Sequence, residues 1–224
     1  MFRVIEGSIF DSTCDYITNT INTQGAMGAG LALEFRLRVP EMYSLYKELC
    51  LKGDIRIGEY WIYEKSNRIQ KKILNFPVKT EFAQPSEYEY IIKGLDFFLE
   101  NYEKDGIFSI AMPTLGSRLG RLDDEAVLEV MREDLSGLPI QIEIYQKYAQ
   151  DRLTTMVKRA IGNMSPQELG TEFGLGLPEA ELIKRKVHSC FLLSDLVAFQ
   201  RISSNIVQKI YDFGFRKFSQ PEIQ

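Results

Sequence analysis

The spacing of apolar side chains changes regularly along the chain, and those changes mark out its elements. β-Branched and aromatic residues recur in FRVIEG (2–7) and DYITNTIN (15–22), which predicts two strands. LALEFRLRV (31–39) has apolar positions at helical spacing, Pro40 ends it, and EMYSLYKELC (41–50) forms a second helical stretch. GEYWIYEK (58–65) and KKILNFPV (71–78) read as a neighbouring pair of strands. Ser86 is then predicted to cap a helix that lines up Ile91, Leu95, Phe98 and Leu99 on one face. FSIAMPTLG (108–116) is a buried-type strand, and LDDEAVLEVMREDL (122–135) is a helix whose first turn carries acidic residues, where the macrodipole favours them. PIQIEIYQ (139–146) closes the series as an alternating strand. Strands and helices thus alternate up to Tyr148, the pattern of an α/β layered domain. Trp61 and the Phe97–Phe98 pair fall in periodic segments and are read as core.

Beyond Tyr148 the strand signal ends and short helices follow, so the division is an α/β domain over 1–148 and an all-helical C-terminal extension over 149–224. SPQELG (165–170) carries a helix start, with Ser165 at the cap, Pro166 at the first helical position and Glu168 three residues after the cap. EFGLGLPEAELIKRKVHSC (172–190) continues through a glycine turn into another helix. Such a turn between helices is compatible with a DNA-reading helix-turn-helix and equally with an ordinary helical cap. The KRK run at Lys184 to Lys186 reads as a solvated helix face, and His188 as a surface or packing residue.

With 224 residues, 45% of them hydrophobic, the chain buries a sizeable core, enough for one domain plus an appendage. Its net charge of −4 divides into −6 over the first 150 residues and +2 over 151–224 (ten Lys/Arg against eight Asp/Glu), which argues against a nonspecific polyanion binder. Any anion is therefore held in a local pocket. Cys14, Cys50 and Cys190 are odd in number and far apart, and His188 is the single histidine, so neither a disulfide framework nor a metal site is predicted. No apolar run approaches the roughly 20 residues of a membrane span, and the opening MFRVIEGSIF reads as a strand rather than a signal peptide. The expectation is a cytoplasmic protein.

Two glycine loops carry the candidate chemistry. In NTINTQGAMGAGLALEFR (19–36) a strand runs through a loop with Gly25, Gly28 and Gly30 into a helix. Its backbone amides and the helix N-terminus can converge on an anion. PTLGSRLGRLDD (113–124) repeats the strand–loop–helix plan, with Gly116 and Gly120 flanking Ser117, Arg118 and Leu119. Each loop taken alone also reads as a tight connection. Neither fits GxGxxG or GxxxxGK[ST], which removes support for dinucleotide redox and NTPase readings.

The order NTIN (19–22), GAMGAGLALEF (25–35), NFPVK (75–79) and PTLGSRLGRLD (113–123) resembles the macrodomain family, an ADP-ribose-binding α/β fold. It is most similar to the branch of terminal-ADP-ribose glycohydrolases and DarG-type antitoxins that remove ADP-ribose from DNA. The resemblance implies a three-layer α/β/α domain with a mixed central sheet. It places Asn22 beside the distal ribose, and Gly25, Met27, Gly28, Gly30 and Leu31 in the first diphosphate loop. It places Pro113, Gly116, Ser117, Arg118, Leu119 and Gly120 in the second, with Ser8 and Ile9 toward the adenine. Arg118 either covers the ligand or points to solvent. The resemblance makes Lys79 the catalytic group: a partly desolvated amine attacks the anomeric carbon, displaces the base or carboxylate, and the adduct is hydrolysed. Asn22 counts with Lys79 in the catalytic pair, and no metal or cofactor is implied.

Two departures from the family pattern bear on substrate. Protein-directed members carry an Asp at the position of Gly120, whereas DarG-type domains carry glycine, which points to ADP-ribosylated bases in DNA. Gly7-Ser8 stands where the family has Gly-Asp, so adenine recognition lacks charge assistance unless Asp11 supplies it. The implied partners are an ADP-ribosylated macromolecule, DNA before protein, and a cognate ADP-ribosyltransferase toxin. A non-catalytic ADP-ribose reader and a ligand-sensing regulator acting through the helical tail are the alternatives.

Overall fold

The computed structural model describes residues 1–218, which divide into two compact units, Met1–Ala149 and a second beginning at Gln150. Strands β1 (Phe2–Gly7), β2 (Tyr16–Asn22), β3 (Trp61–Tyr63), β4 (Lys72–Lys79), β5 (Ser109–Pro113) and β6 (Gln141–Tyr148) form one sheet in the order β1-β6-β5-β2-β4-β3. Every neighbouring pair is parallel except β3 with β4, so the sheet is mixed. Helices α1 (Gly30–Arg38) and α2 (Pro40–Lys52) connect β2 toward β3 and β4, while α3 (Tyr88–Asn101) precedes β5 and α4 (Asp124–Leu135) leads to β6.

Alternation along the strands sends side chains to two cores. On one face Leu74, Phe76, Ile110, Met112, Ile142 and Ile144 meet the apolar stripes of α3 and α4, including Ile91, Leu95, Phe98 and Met131. On the other, Ile17, Ile21, Ile73 and Ala111 meet Phe35, Met42 and Tyr46. The result is an α/β layered domain, as the alternating pattern predicts, with the three-layer α/β/α order and mixed sheet that the resemblance implies. Trp61 packs at the edge of the second core, and Phe98 is fully buried in the first. At Gly94 a β-carbon would stand 2.2 Å from Phe76 Cζ, so the α3–sheet contact requires glycine there.

Helix α3 starts differently from the sequence expectation. Its N-cap is Glu87, which makes no side-chain capping bond, and Ser86 is not the cap. The reason is a tertiary tie: Ser86 N donates to Gly120 O at 2.8 Å, drawing the serine into the interior at 4% exposure.

A buried polar cluster pins the crossing between β1 and β2. Glu143 on β6 accepts from Ser12 Oγ (2.7 Å), Tyr145 Oη (2.9 Å) and Gln141 Nε2 (3.0 Å). Burial alone would raise its pKa, but these bonds outweigh burial and hold the carboxyl below its ordinary value.

The second unit consists of α5 (Arg152–Asn163), α6 (Pro166–Phe173), α7 (Leu177–Lys186) and α8 (Ser204–Phe218). Ser165 and Glu168 form the capping box that the sequence predicts, and Gly174 ends α6 in the left-handed region at φ 65°. The KRK run departs from a solvated face. Lys184 donates to the carbonyls of Gly162 and Met164 at the end of α5, and Lys186 lies 5.0 Å from the Phe199 ring centre. Exposed helix-terminal carbonyls attract cations, so these charges act within the unit. His188 is exposed and lies close to Gly162, where an added β-carbon would meet its Nε2 at 2.3 Å. No helix among the described residues is long and apolar enough to cross a membrane.

Two outcomes follow from this packing. Gly94→Ala is expected to destabilise the protein by about 1–3 kcal/mol in urea unfolding, because the methyl group overpacks Phe76. Glu143→Gln is expected to cost about 1–3 kcal/mol at pH 7 by removing a charged acceptor from buried donors. Because the folded pKa of Glu143 is depressed, that stabilisation is full above the unfolded value of about 4.3 and is lost as pH falls through the folded one. Unfolding of wild type and variant at pH 7 and in the acid range should therefore give a gap that narrows on acidification.

Candidate functional site

The strand order creates the site. From β2 the chain crosses to β4 on one side, and from β5 it crosses to β6 on the other, so the direction of winding reverses between β2 and β5. A crevice opens outside the carboxyl ends of strands at such a reversal. The β2–β5 ladder is confined to Tyr16↔Ile110 and Ile17↔Ala111, which leaves the outer half of β2 paired through β4 only. Both glycine loops leave from this place.

Asn22, the last residue of β2 and 7% exposed, builds the first loop. Its Oδ1 accepts from Gln24 N (3.0 Å) and Ala26 N (3.2 Å), and its Nδ2 donates to Ala26 O (2.6 Å). Buried Tyr46 on α2 fixes the same residue by donating to Asn22 O at 2.5 Å. The amide that the resemblance turns toward a ribose therefore also shapes the loop that would hold the phosphates. Gly25 has φ 81°, and Gly28 faces open space. The side chains of Met27 and Ile9 are buried in the second core, and Leu31 packs against it, so near a ligand these residues present backbone. Ser8 is buried at the end of β1, where its Oγ accepts from Phe10 N (3.4 Å) and caps the short turn Ile9–Asp11.

The second loop begins at Pro113, the end of β5, and passes through Gly116 at φ 68°. Ser117 Oγ donates to Thr114 O (2.9 Å), and a single turn follows at Arg118–Gly120. Arg118 donates to Gln146 O at 3.1 Å, so its guanidinium is tied to β6. Leu119 is 59% exposed and reaches across to the first loop: a β-carbon on Gly30, itself at φ 57°, would stand 2.8 Å from Leu119 Cδ1. The two loops thus touch, and their contact depends on a glycine. Among the described residues the backbone N–H groups of Gly28, Ala29 and Ser117 meet no acceptor. With the N-terminus of α1 they supply donors suited to an anion.

Lys79 ends β4 and stands opposite Asn22, across a register shift that skips Val78 after the Ile21↔Pro77 pair. Thr23 N donates to Lys79 O (3.1 Å), and Lys79 Nζ donates to Leu119 O (2.5 Å), so the lysine joins both loops. Burial, and secondly the charge of Arg121, hold its pKa below the ordinary amine range. A β-carbon at Gly120 would stand 2.5 Å from Ser86 Oγ and 4.0 Å from Lys79 Cε. Any larger residue at 120 would therefore compete with Ser86 for space beside the amine. Sequence reasoning assigned Ser86 to a helix cap and passed over Arg121 and Tyr46. The run RLGRLDD contained the only signal for Arg121, a second arginine one residue after the loop glycine.

A partly buried lysine thus stands between two loops whose free backbone amides suit an anion. The Macro domain family model matches residues 18–131, which contain most of β2, both loops, Lys79 and most of α4. A DNA ADP-ribosyl glycohydrolase of Thermus aquaticus is 30% identical over 159 residues, 70% of this chain and 44% of the relative. The solved macrodomain of Mycobacterium tuberculosis DarG superposes with a TM-score of 0.61 at 32% identity, covering 65% of this chain and 97% of that one. Thermosipho africanus DarTG in complex with ADP-ribose has a TM-score of 0.61 at 33% identity, covering 64% of this chain and 40% of that one. The chain thus spans less than half the length of the Thermus relative. Over its first unit, the chain belongs to the macro domain family.

Proposed function

We propose that this chain is an ADP-ribosyl glycohydrolase that frees ADP-ribose from a base in DNA, with Lys79 as the nucleophile. The observation that carries the reading is the place of Lys79: its amine lies between the two loops, at the residue opposite Asn22, with its pKa lowered by burial. The diphosphate lies along the loop amides, and Asn22, whose Nδ2 has a second hydrogen beyond the one given to Ala26 O, orients the distal ribose. Relatives named for DNA ADP-ribosyl glycohydrolase activity supply the substrate class.

In the reaction the neutral amine forms a C–N bond to the anomeric carbon as the bond to the acceptor base breaks. The bonding pair leaves with the base. One amine proton passes to the base or to solvent, and water then replaces the lysine, releasing ADP-ribose and restoring the amine. Glycine at 120 leaves Lys79 without a carboxylate neighbour on the second loop, which fits a nucleobase acceptor and removes the group that protein-directed members use. The modified base must come from an ADP-ribosyltransferase acting on DNA, and that enzyme is the proposed partner.

Lys79→Ala is expected to lower release of ADP-ribose from thymine-modified single-stranded DNA by at least ~10²-fold, the lower scale for one positioned catalytic group. Titration calorimetry with ADP-ribose should still register binding. If wild type binds ADP-ribose and releases none from modified DNA or from glutamate-modified protein, the chain is a reader. For wild type, the rate should rise with pH and level off below the ordinary lysine value of about 10.4, because the neutral amine is the reactive form and its pKa is lowered. A rate independent of pH from 6 to 10 would contradict a lysine nucleophile.

A further inference from the structure

Arg36 on α1 and Lys47 on α2 converge on one ring. The Arg36 guanidinium carbon stands 4.7 Å, and Lys47 Nζ 5.7 Å, from the centre of the half-buried Tyr43 ring. Both side chains also border the first loop. Arg36 Nη1 donates to Met27 O (3.5 Å), and a β-carbon built on Gly25 would lie 3.6 Å from Lys47 Cγ. Tyr43 stands 6.5 Å, centre to centre, from Tyr46, the residue that holds Asn22. Neither cation forms an ion pair among the described residues. Of the carboxylates on the two helices, Glu34 is taken by Arg38 at 2.9 Å, and Glu41 and Glu48 pair with neither cation. Two like charges gathered at one ring repel, and an anion between them removes the repulsion. The guanidinium keeps N–H groups beyond the one given to Met27 O, and the Lys47 amine makes no hydrogen bond among the described residues, a donor set that fits a phosphate.

We propose that Arg36 and Lys47 hold a backbone phosphate of the DNA strand that carries the modified base. The inference rests on the proposed reaction and names the contact that grips its substrate. The diphosphate of ADP-ribose has other donors, the backbone amides of Gly28, Ala29 and Ser117. The two cations border the opposite half of the first loop, Gly25 to Met27, which the Asn22 amide shapes through Ala26. The acceptor base is joined to the distal ribose that Asn22 orients, so the strand leaves the pocket on this side. The first 150 residues carry a net charge of −6, which repels a polyanion at large. A local pair of cations supplies one phosphate contact without general affinity for nucleic acid, and such a contact positions the strand without reading its sequence.

The test measures binding by fluorescence anisotropy, with the full chain carrying Lys79→Ala so that the substrate is not consumed. The probe is a labelled single-stranded oligonucleotide ADP-ribosylated on thymine, titrated at several salt concentrations. Arg36→Gln and Lys47→Gln keep a polar side chain and remove the charge, whereas Lys47→Arg retains it. The double glutamine variant is expected to bind the oligonucleotide more weakly, with a plot of log affinity against log salt shallower by about 0.7, the value for one single-strand phosphate contact. Each single glutamine variant should move the slope in the same direction, and Lys47→Arg should match the parent. Affinity for free ADP-ribose, read by calorimetry, should be unchanged in all of them. An unchanged slope overturns the proposal. So does an equal loss of free ADP-ribose binding, which would make the cations supports of the loop, or of binding to a glutamate-modified peptide, which would assign them to protein substrates. Binding needs no turnover, so a wild type that binds the modified oligonucleotide and releases no ADP-ribose would overturn the hydrolase reading separately.

Discussion

The register that sets Asn22 opposite Lys79 is the constraint on which the site depends. β2 and β4 run parallel and side by side, their ends are joined by the bond from Thr23 N to Lys79 O, and so the loop-building amide and the amine stand at one level. The ladder skips Val78 after Ile21↔Pro77, and without that one-residue irregularity Asn22 would stand opposite Val78 instead of Lys79. The early end of the β2–β5 ladder is the second half of the arrangement. It leaves room between the strands from which both glycine loops leave.

The site combines features that folding by itself disfavours. A lysine loses hydration, a second cation stands nearby, and two arginines take left-handed backbone. The surrounding packing compensates. Phe76 against Gly94 fixes α3, the Ser86–Gly120 bond fixes the second loop to the segment before that helix, and Tyr46 fixes the first loop to α2. The place of Lys79 is thus supported from both cores.

The architecture was legible because each strand and helix of the first unit carries its own periodicity. Both glycine loops were legible because a strand signal preceded each and a helix signal followed. What escaped were features decided by contacts distant in sequence. Ser86 has the chemistry of a helix cap, but its backbone bond to Gly120 moves the cap to Glu87. Lys184 looked like part of a solvated basic run until the end of α5 supplied carbonyls for it. The placement of Arg118 against Gln146, and of Arg121 near Lys79, depends on the left-handed turns of the second loop, which no periodicity encodes. Nor does composition reveal that the Asn22 amide is used inside its own loop.

The most direct test of the account is chemical capture of the adduct on Lys79. Wild-type protein turning over thymine-modified DNA in cyanoborohydride, which delivers hydride to the imine formed when the sugar ring of the lysine adduct opens, should accumulate ADP-ribose reduced onto one lysine, and peptide mass spectrometry should locate it at Lys79. Continued release of ADP-ribose with Lys79 unmodified, or label spread evenly over the surface lysines, would contradict a lysine nucleophile.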